Sequence, residues 1–306
     1  MSNKNYIIPP IDKDILEQEL NENCFVKNTN KGENKIYIVN YHNAPNVVKE
    51  IGRLREVTFS AAGGGTGKEM DLDEMDTAEN CYDQLIVFDP EKKEIISGYR
   101  FIDCAKVTQY PNIDLSTKHY FNFSKKFISD YLPYTIELGR SWVQPIYQST
   151  KISRKGIFAL DNLWDGLGAL VISHPHMKYF FGKVTMYPSY NTTARNALLY
   201  FMDYYFPDKN QLVTPIHPLV IKDDLTEITN LLEGKDFDEG IKFLNQFLKE
   251  YNENIPPLIN TYMKLSPTMK SFGTAINPDF GGVEETGILV TVADIYEEKK
   301  ERHIDQ

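Results

Sequence analysis

Apolar positions along this chain recur with two periods. Lys35-Ile-Tyr-Ile-Val-Asn40 alternates polar and apolar residues and reads as a first strand. From Pro45, which suits the opening of a helix, Val48, Ile51, Leu54, Val57 and Phe59 fall near helical spacing. The block Ala61-Ala-Gly-Gly-Gly-Thr-Gly-Lys68 stops that helix, because four glycines in five positions cannot sustain one. The acidic run Glu69 to Asp76 follows and, taken alone, reads as a solvated loop.

Gln84 to Asp89 and Ile95 to Ile102 are predicted strands joined by the charged turn Asp89-Pro-Glu-Lys-Lys93, and Tyr134 to Val143 is another. Phe158 to Ile172 is predicted as a helix, Tyr179 to Met186 as a strand and Thr193 to Tyr205 as an aromatic-rich helix. Asp236 to Tyr251 places Phe237, Ile241, Leu244 and Leu248 on one stripe. Ile255-Pro-Pro-Leu258 leads a short helix, and Gly287 to Val292 is the last strand. Strands and helices alternate, first in hairpins and then singly, so the expected class is α/β: one mixed sheet with helices on both faces. With no linker or internal repeat, the expected organisation is an arm over 1–34, with a short helix at Ile11 to Leu20, and one domain over 35–306. A helical insertion is expected at about 222–265.

The 306 residues, 42% of them hydrophobic, suffice for a full core and exclude wholesale disorder. No run approaches the ~20 apolar residues needed to span a bilayer. The opening MSNKNYIIPP lacks a signal-like apolar segment, so a cytoplasmic protein is expected. Three scattered cysteines, Cys24, Cys81 and Cys104, argue against a disulfide framework or a cysteine zinc site. The net charge of -10 argues against general nucleic-acid binding while leaving room for a local basic patch.

Several apparent motifs fail on inspection. Gly63 to Lys68 resembles a phosphate loop, but Ala62 and Glu69 stand where Gly and Ser or Thr are needed, so a lid or turn is expected. His174-Pro-His176 has no nearby third ligand, and no metal site is expected. Gly139-Arg-Ser-Trp-Val143 lacks the final glycine of a nucleophile elbow.

A different constellation carries chemistry. Arg55, Asp73, Asp76, Arg100, Glu137 and Arg140 lie beside predicted strand and helix ends. Three acids against three arginines sum to zero, so a partly buried cluster avoids uncompensated charge. Glu137 and Arg140, three apart, face opposite sides of a regular strand; a bulge at Gly139 brings them to one face. A bulge also frees a backbone N–H for an oxyanion, and a strand-borne Glu beside it suits acyl transfer to an amine.

These residues carry a resemblance. Arg53-Leu-Arg-Glu-Val-Thr-Phe59, Asp71-Leu-Asp-Glu-Met-Asp76, Tyr82 to Val87, Gly98-Tyr-Arg-Phe101 and Glu137-Leu-Gly-Arg-Ser-Trp-Val143 resemble the acyl-carrier-protein-dependent N-acyltransferases of amino-acid lipid synthesis. That group is GNAT-like and distantly similar to acyl-homoserine lactone synthases. Trp164-Asp-Gly-Leu167, Ile255 to Tyr262 and Asn277-Pro-Asp-Phe280 fit as well, and the glycine block looks most like the glycine-lipid branch. The resemblance implies a GNAT-like, mostly antiparallel sheet.

It also implies Glu137 as base and Arg140 as its strand partner. Arg55, Asp73, Asp76 and Arg100 then form an ionic ring around the amine-side pocket, with Arg100 meeting the acceptor carboxylate. Phe59, Ser141 and Trp142 complete the substrate-binding set. Trp142 departs from the Cys frequent in ornithine-lipid enzymes, and the lactone synthases' aromatic residue falls in the glycine block.

Coenzyme-A enzymes of this type carry Gln/Arg-x-x-Gly-x-Gly/Ala, where this chain has Ser153-Arg-Lys-Gly-Ile-Phe158. A phosphopantetheine arm has no pyrophosphate and does not need that loop. The expected donor substrate is therefore acyl-ACP, with no bound cofactor, and Lys151, Arg154 and Lys155 are expected to contact the acidic acyl carrier protein. A solvated basic turn is the alternative for those three.

The expected reaction moves a (3-hydroxy)fatty acyl group to the α-amine of glycine or another small amino acid, giving a lyso-aminolipid. The alternatives are an acyl-homoserine lactone-type synthase, a small-molecule acetyltransferase and an inactive GNAT-like binding module. A lipid product implies a peripheral inner-membrane contact, for which Leu198 to Phe206 is the candidate helix, core packing being its default role.

Overall fold

The computed structural model describes residues 6–109, 114–148 and 158–304. Five strands open the described chain: β1 (Phe25–Asn28), β2 (Lys35–Val39), β3 (Asp83–Asp89), β4 (Glu94–Asp103) and β5 (Phe121–Phe123). Five more follow: β6 (Thr135–Val143), β7 (Tyr179–Met186), β8 (Val213–Pro215), β9 (Lys270–Asn277) and β10 (Val283–Thr291). The helices used below are α1 (Lys13–Glu19), α2 (Pro45–Ala61), α3 (Glu74–Thr77), α4 (Ala159–Ser173), α5 (Thr192–Tyr205), α6 (Phe237–Glu250) and α7 (Glu297–His303). The chain divides into two compact units. One comprises Met1–Asp114, Pro133–Met177 and Glu297–Gln306, and the other Leu115–Leu132 and Lys178–Tyr296.

The first unit is built on strands ordered β1–β2–β3–β4–β6, each neighbouring pair antiparallel. β3 and β4 are buried almost throughout, on both faces, as their near-continuous apolar runs require. Helices cover both sides. Gln84 of β3 reaches Asp76 and through it Arg55 of α2, whereas the next residue, Leu85, points the other way and packs against Gly166 of α4. The alternation of β3 therefore assigns α2 and α4 to opposite faces.

Residues 13–28, expected within a separate arm, are built into this unit. β1 pairs with β2, and Glu19 of α1 accepts the Asn46 and Val47 N–H groups at the opening of α2. Those donors have no partner within a helix, and the N-cap residue Ala44 offers no side-chain acceptor. A carboxylate from α1 supplies what the local sequence lacks.

The second unit pairs β7–β10–β9 antiparallel and adds the two-stranded β5–β8 ladder. Phe127, Phe181 and Phe272 meet edge-on in its core, Phe127 and Phe181 with ring centroids 5.2 Å apart. In α5, Leu198, Leu199, Phe201 and Met202 are buried in the core, whereas Tyr204 of the same segment is exposed. Among the described residues no helix is long and apolar enough to cross a membrane.

Candidate active site

α2 carries Arg55 on its buried stripe, and the side chain is fully enclosed. Its Nε lies 3.0 Å from Asp71 Oδ2 and its Nη1 3.0 Å from Asp76 Oδ1. The Asp71 N–H donates to the Gly52 carbonyl, which lays the acidic segment along α2. Asp73 then caps α3, and Asp76, at the third helical position, reaches back to accept the Asp73 N–H at 3.1 Å. The Asp-x-x-Asp spacing is thus a capping box, with Asp in the place usually held by Glu or Gln.

Arg100, on β4, pairs with Asp73 Oδ1 at 2.7 Å and Asp76 Oδ2 at 3.1 Å, and its guanidinium lies 5.1 Å from the centre of the Tyr82 ring. Gln84 Nε2 donates to Asp76 Oδ1 at 2.9 Å. Arg140, on β6, places Nε 3.0 Å from Asp71 Oδ2 and Nη2 4.0 Å from Asp73 Oδ2.

Together these contacts close a ring of alternating charge: Arg55, Asp71, Arg140, Asp73, Arg100, Asp76 and back to Arg55. The ring is neutral. Burial on its own would raise the Asp71 and Asp76 carboxyls; the adjoining guanidiniums overcome it and hold both below their ordinary value. Arg55 and Arg100 are held above theirs, the carboxylates outweighing the burial that opposes the charge. The sequence reading counted Glu137 as the third acid. Asp71 fills that place in the alternation of charges.

Glu137 lies opposite Ile102 in the β4–β6 ladder and is 1% exposed. Arg100 faces Gly139, so Glu137 and Gly139 share the sheet face that carries Arg100 and Gln84. β6 is buried from Thr135 to Leu138, half-open from Gly139 to Ser141 and closed again at Trp142. Among the described residues, a Cβ added at Gly139 would meet no atom within 4 Å beyond its chain neighbours. The open window therefore begins two residues beyond the buried carboxylate.

The ladder slips at this window. Gly98 faces Trp142 and Arg100 faces Gly139, leaving Tyr99 opposed by both Arg140 and Ser141. The bulge lies one step beyond Gly139, where the sequence placed it. Arg140 takes a left-handed backbone there, φ 47°, at the position glycine ordinarily fills.

The remaining expected site residues divide. Trp142 is buried on the same face, its Nε1 beside Gly98. Phe59 is buried near the end of α2, and Ser141 lies in the window. Arg100, expected to meet a substrate carboxylate, is 1% exposed with its Nη1 taken by Asp73 and Asp76, which does not suit that role. Lys151, Arg154 and Lys155 lie outside the described residues.

The glycine block folds around an anion of its own chain. The Thr66 and Gly67 N–H groups and the Thr66 hydroxyl donate to the buried Glu56 carboxylate, which the Ser60 and Tyr6 hydroxyls also reach. In the histidine pair, His176 Nε2 lies 3.0 Å from Asp103 Oδ2, and His174 Nδ1 meets the Ser173 hydroxyl. Among the described residues no His, Cys, Asp and Glu cluster suits a metal ion. Cys24, Cys81 and Cys104 are buried and form no disulfide among the described residues.

Residues 54–155, which span Arg55, Glu137 and Arg140, match the family described as an acetyltransferase (GNAT) domain. The chain is 54% identical over 301 residues to a glycine N(alpha)-acyltransferase of Phocaeicola vulgatus, covering 98% of this chain and 92% of that protein. It is 53% identical over 300 residues to a glycine N(alpha)-acyltransferase of Bacteroides thetaiotaomicron, covering 97% and 89%. No solved structure matches.

Proposed function

The chain belongs to the glycine N(alpha)-acyltransferase family, an acyltransferase enzyme with a GNAT domain, and on that premise we propose that it acylates the α-amine of glycine from acyl carrier protein. The product of a (3-hydroxy)fatty acyl donor is a lyso-aminolipid. The observation that carries this reading is the buried Glu137, with the half-open stretch Gly139–Ser141 starting two residues on. A carboxylate there can act on an amine entering beside it, while the strand backbone stays within reach of a carbonyl.

In the proposed reaction Glu137 takes a proton from the acceptor ammonium, directly or through water. The neutral amine attacks the thioester carbonyl carbon. An amide N–H released from the ladder by the Arg140–Ser141 bulge receives the developing oxyanion. Collapse of the tetrahedral intermediate breaks the C–S bond. The phosphopantetheine thiolate leaves and takes up the remaining amine proton, and Glu137 returns its proton to solvent, so the products are the amide, a free thiol and one proton. Asp71 fixes Arg140, and Arg55 and Arg100 fix Asp76 at the end of the acidic segment, so little reorganisation accompanies the charge movement.

The basic stretch Lys151, Arg154 and Lys155 is the proposed contact for the acidic carrier protein, a salt-sensitive steering interaction. An amphiphilic product favours a peripheral membrane contact, for which the exposed side of Leu198–Phe206, at Tyr204, is the proposed surface.

The test is reconstitution: the purified chain, acyl carrier protein loaded with a 3-hydroxyacyl group, glycine, and mass detection of the N-acylglycine. Glu137→Gln should keep the melting temperature near wild type and lower turnover by ~100-fold or more, the scale of a lost general base. Full turnover in that variant removes the base assignment. No acylglycine from the wild type removes the reaction.

A further inference from the structure

The ring has one weak edge. Five of its six contacts measure 2.7 to 3.1 Å, and the sixth, Arg140 Nη2 to Asp73 Oδ2, measures 4.0 Å. The same edge is the one that reaches solvent. The side chains of Arg55, Asp71, Asp76 and Arg100 are at most 1% exposed, whereas Arg140 is 16% and Asp73 38% exposed. A long, accessible ion pair at the rim of an otherwise tight, dry ring contributes little to stability by itself, and it offers one charge of each sign to an incoming molecule.

We propose that the Arg140–Asp73 edge is the acceptor site, and that it takes a zwitterionic α-amino acid head to tail, carboxylate on Arg140 and ammonium on Asp73. This rests on the reading of the chain as an amino-acid N-acyltransferase and names the recognition element of that same site. Charge chemistry favours the zwitterion over a plain amine. Inserted between Arg140 and Asp73, an amino acid preserves the alternation of sign, and the ring grows from six charges to eight. A simple ammonium would satisfy Asp73 and leave Arg140 without gain; a simple carboxylate would do the reverse.

The surroundings fit a small acceptor. Gly139, immediately before Arg140, has no described residue other than its chain neighbours within 4 Å of where a Cβ would stand. It shares its sheet face with Glu137, two residues back along the strand. An amine arriving at this rim is thus beside the proposed base. The left-handed Arg140 backbone has a purpose in this arrangement. The bulge displaces Arg140 from regular alternation, and the guanidinium reaches the ring's carboxylates at the half-open window. Arg100, the cation singled out by sequence, is sealed behind Asp73 and Asp76.

The experiment compares glycine with glycinamide, which keeps the amine and loses the carboxylate, as acceptors for wild type, Arg140→Gln and Arg140→Lys. Wild type should prefer glycine by ~10-fold or more in kcat/KM, the worth of a charge-assisted pair. Arg140→Gln should lose that preference, its glycine KM rising far more than its glycinamide KM, and Arg140→Lys should recover part of it. Equal losses on both acceptors in Arg140→Gln would show a structural role only and overturn the proposal. Should that variant fail to fold, calorimetric titration of the wild type without donor decides: tighter binding of glycine than glycinamide supports the site, and equal affinity sinks it. Absence of any acylglycine from the wild type counts against the reaction, while this titration still reads the binding edge.

Discussion

Arg140 reaches Asp71 at 3.0 Å from a backbone bent into the left-handed region, φ 47°. That conformation costs a residue with a side chain about 1–2 kcal/mol, so something must hold it. Two features do. The register slip opposite Tyr99 imposes the bend, and the Asp71 carboxylate, itself gripped by Arg55, anchors the guanidinium that results. Glycine at 140 would relax the backbone and forfeit the cation. The strain belongs to the placement of one charge at the mouth of the site.

The two ends of the capping box should respond differently to neutralisation. Asp76 is fully buried between Arg55 and Arg100, so Asp76→Asn strands two buried guanidiniums and should cost about 3–5 kcal/mol. Asp73 is 38% exposed, and Asp73→Asn should cost no more than about 1 kcal/mol. Urea unfolding midpoints at unchanged slope measure both. Turnover should nevertheless fall in Asp73→Asn, because the acceptor ammonium loses its partner. Equal destabilisation by the two variants would show that the ring is not graded from a sealed side to an open edge.

Acid stability follows from the same carboxylates. Asp71 and Asp76 have folded-state values below their ordinary 3.8. A depressed carboxyl contributes stability that is fully present above its unfolded value and is lost as pH falls through the folded one. The ring's contribution should therefore be flat from neutral pH down to the ordinary carboxylate range, then decline below about 3.8. Denaturant midpoints for wild type and Asp71→Asn should converge as pH drops below that value. A constant gap between them down to the acid-unfolded state would show that the Asp71 charge is not what the ring stabilises.

Much of the first unit was legible because its signals are local. The alternation of Lys35 to Val39 and the helical stripe from Pro45 each depend on one segment, and both elements form where the pattern puts them. β5 and β8 have three residues each, too short for a period to register, and β9 carries Gly273 at φ 78° in its middle. In the site, Glu137 and Arg100 stood out as charges inside apolar strands. Asp71 did not, since nothing local distinguishes it from Asp73 or Glu74; its burial comes from the Gly52 carbonyl and two arginines distant in sequence. The sequence points to Gly139 for the bulge, glycine being the usual residue for a left-handed bend, and the structure has it one residue later. The register slip puts the bend on Arg140, and the Asp71 ion pair holds it there.

Two glycines should separate packing from function. A Cβ at Gly168 of α4 would lie 1.9 Å from the His303 carbonyl oxygen, so Gly168→Ala must push α7 away and should cost about 1–3 kcal/mol. At Gly139 a Cβ meets nothing among the described residues beyond its chain neighbours and φ is not left-handed, so Gly139→Ala should leave the melting temperature unchanged or raise it slightly. Its turnover should still drop by ~10-fold or more if substrate occupies that space, the scale of one methyl group in a fitted pocket. Differential scanning calorimetry and kcat/KM on the two variants distinguish the cases. Wild-type turnover in Gly139→Ala would place the substrate elsewhere.

Glu56 tests whether the glycine block is organised by its internal anion. One buried carboxylate accepts from the Thr66 N–H at 2.9 Å, the Thr66 hydroxyl at 2.7 Å, the Gly67 N–H at 3.0 Å and the Ser60 hydroxyl at 2.8 Å. Gly63, Gly65 and Gly67 all have positive φ, so the segment has little backbone preference of its own to keep it folded. Glu56→Gln turns one acceptor oxygen into an NH2 group that confronts these donors. Bonds to a charged acceptor are worth about 1.5–3 kcal/mol each, so losing one should raise local opening by ~10-fold or more. Lys68 is exposed at the end of the block, and trypsin cleavage after it should accelerate by that factor while the urea midpoint moves much less. The two readouts must diverge in this way: an unchanged cleavage rate would mean that the loop keeps its shape without the carboxylate, and parallel losses would mean that Glu56 supports α2 as a whole.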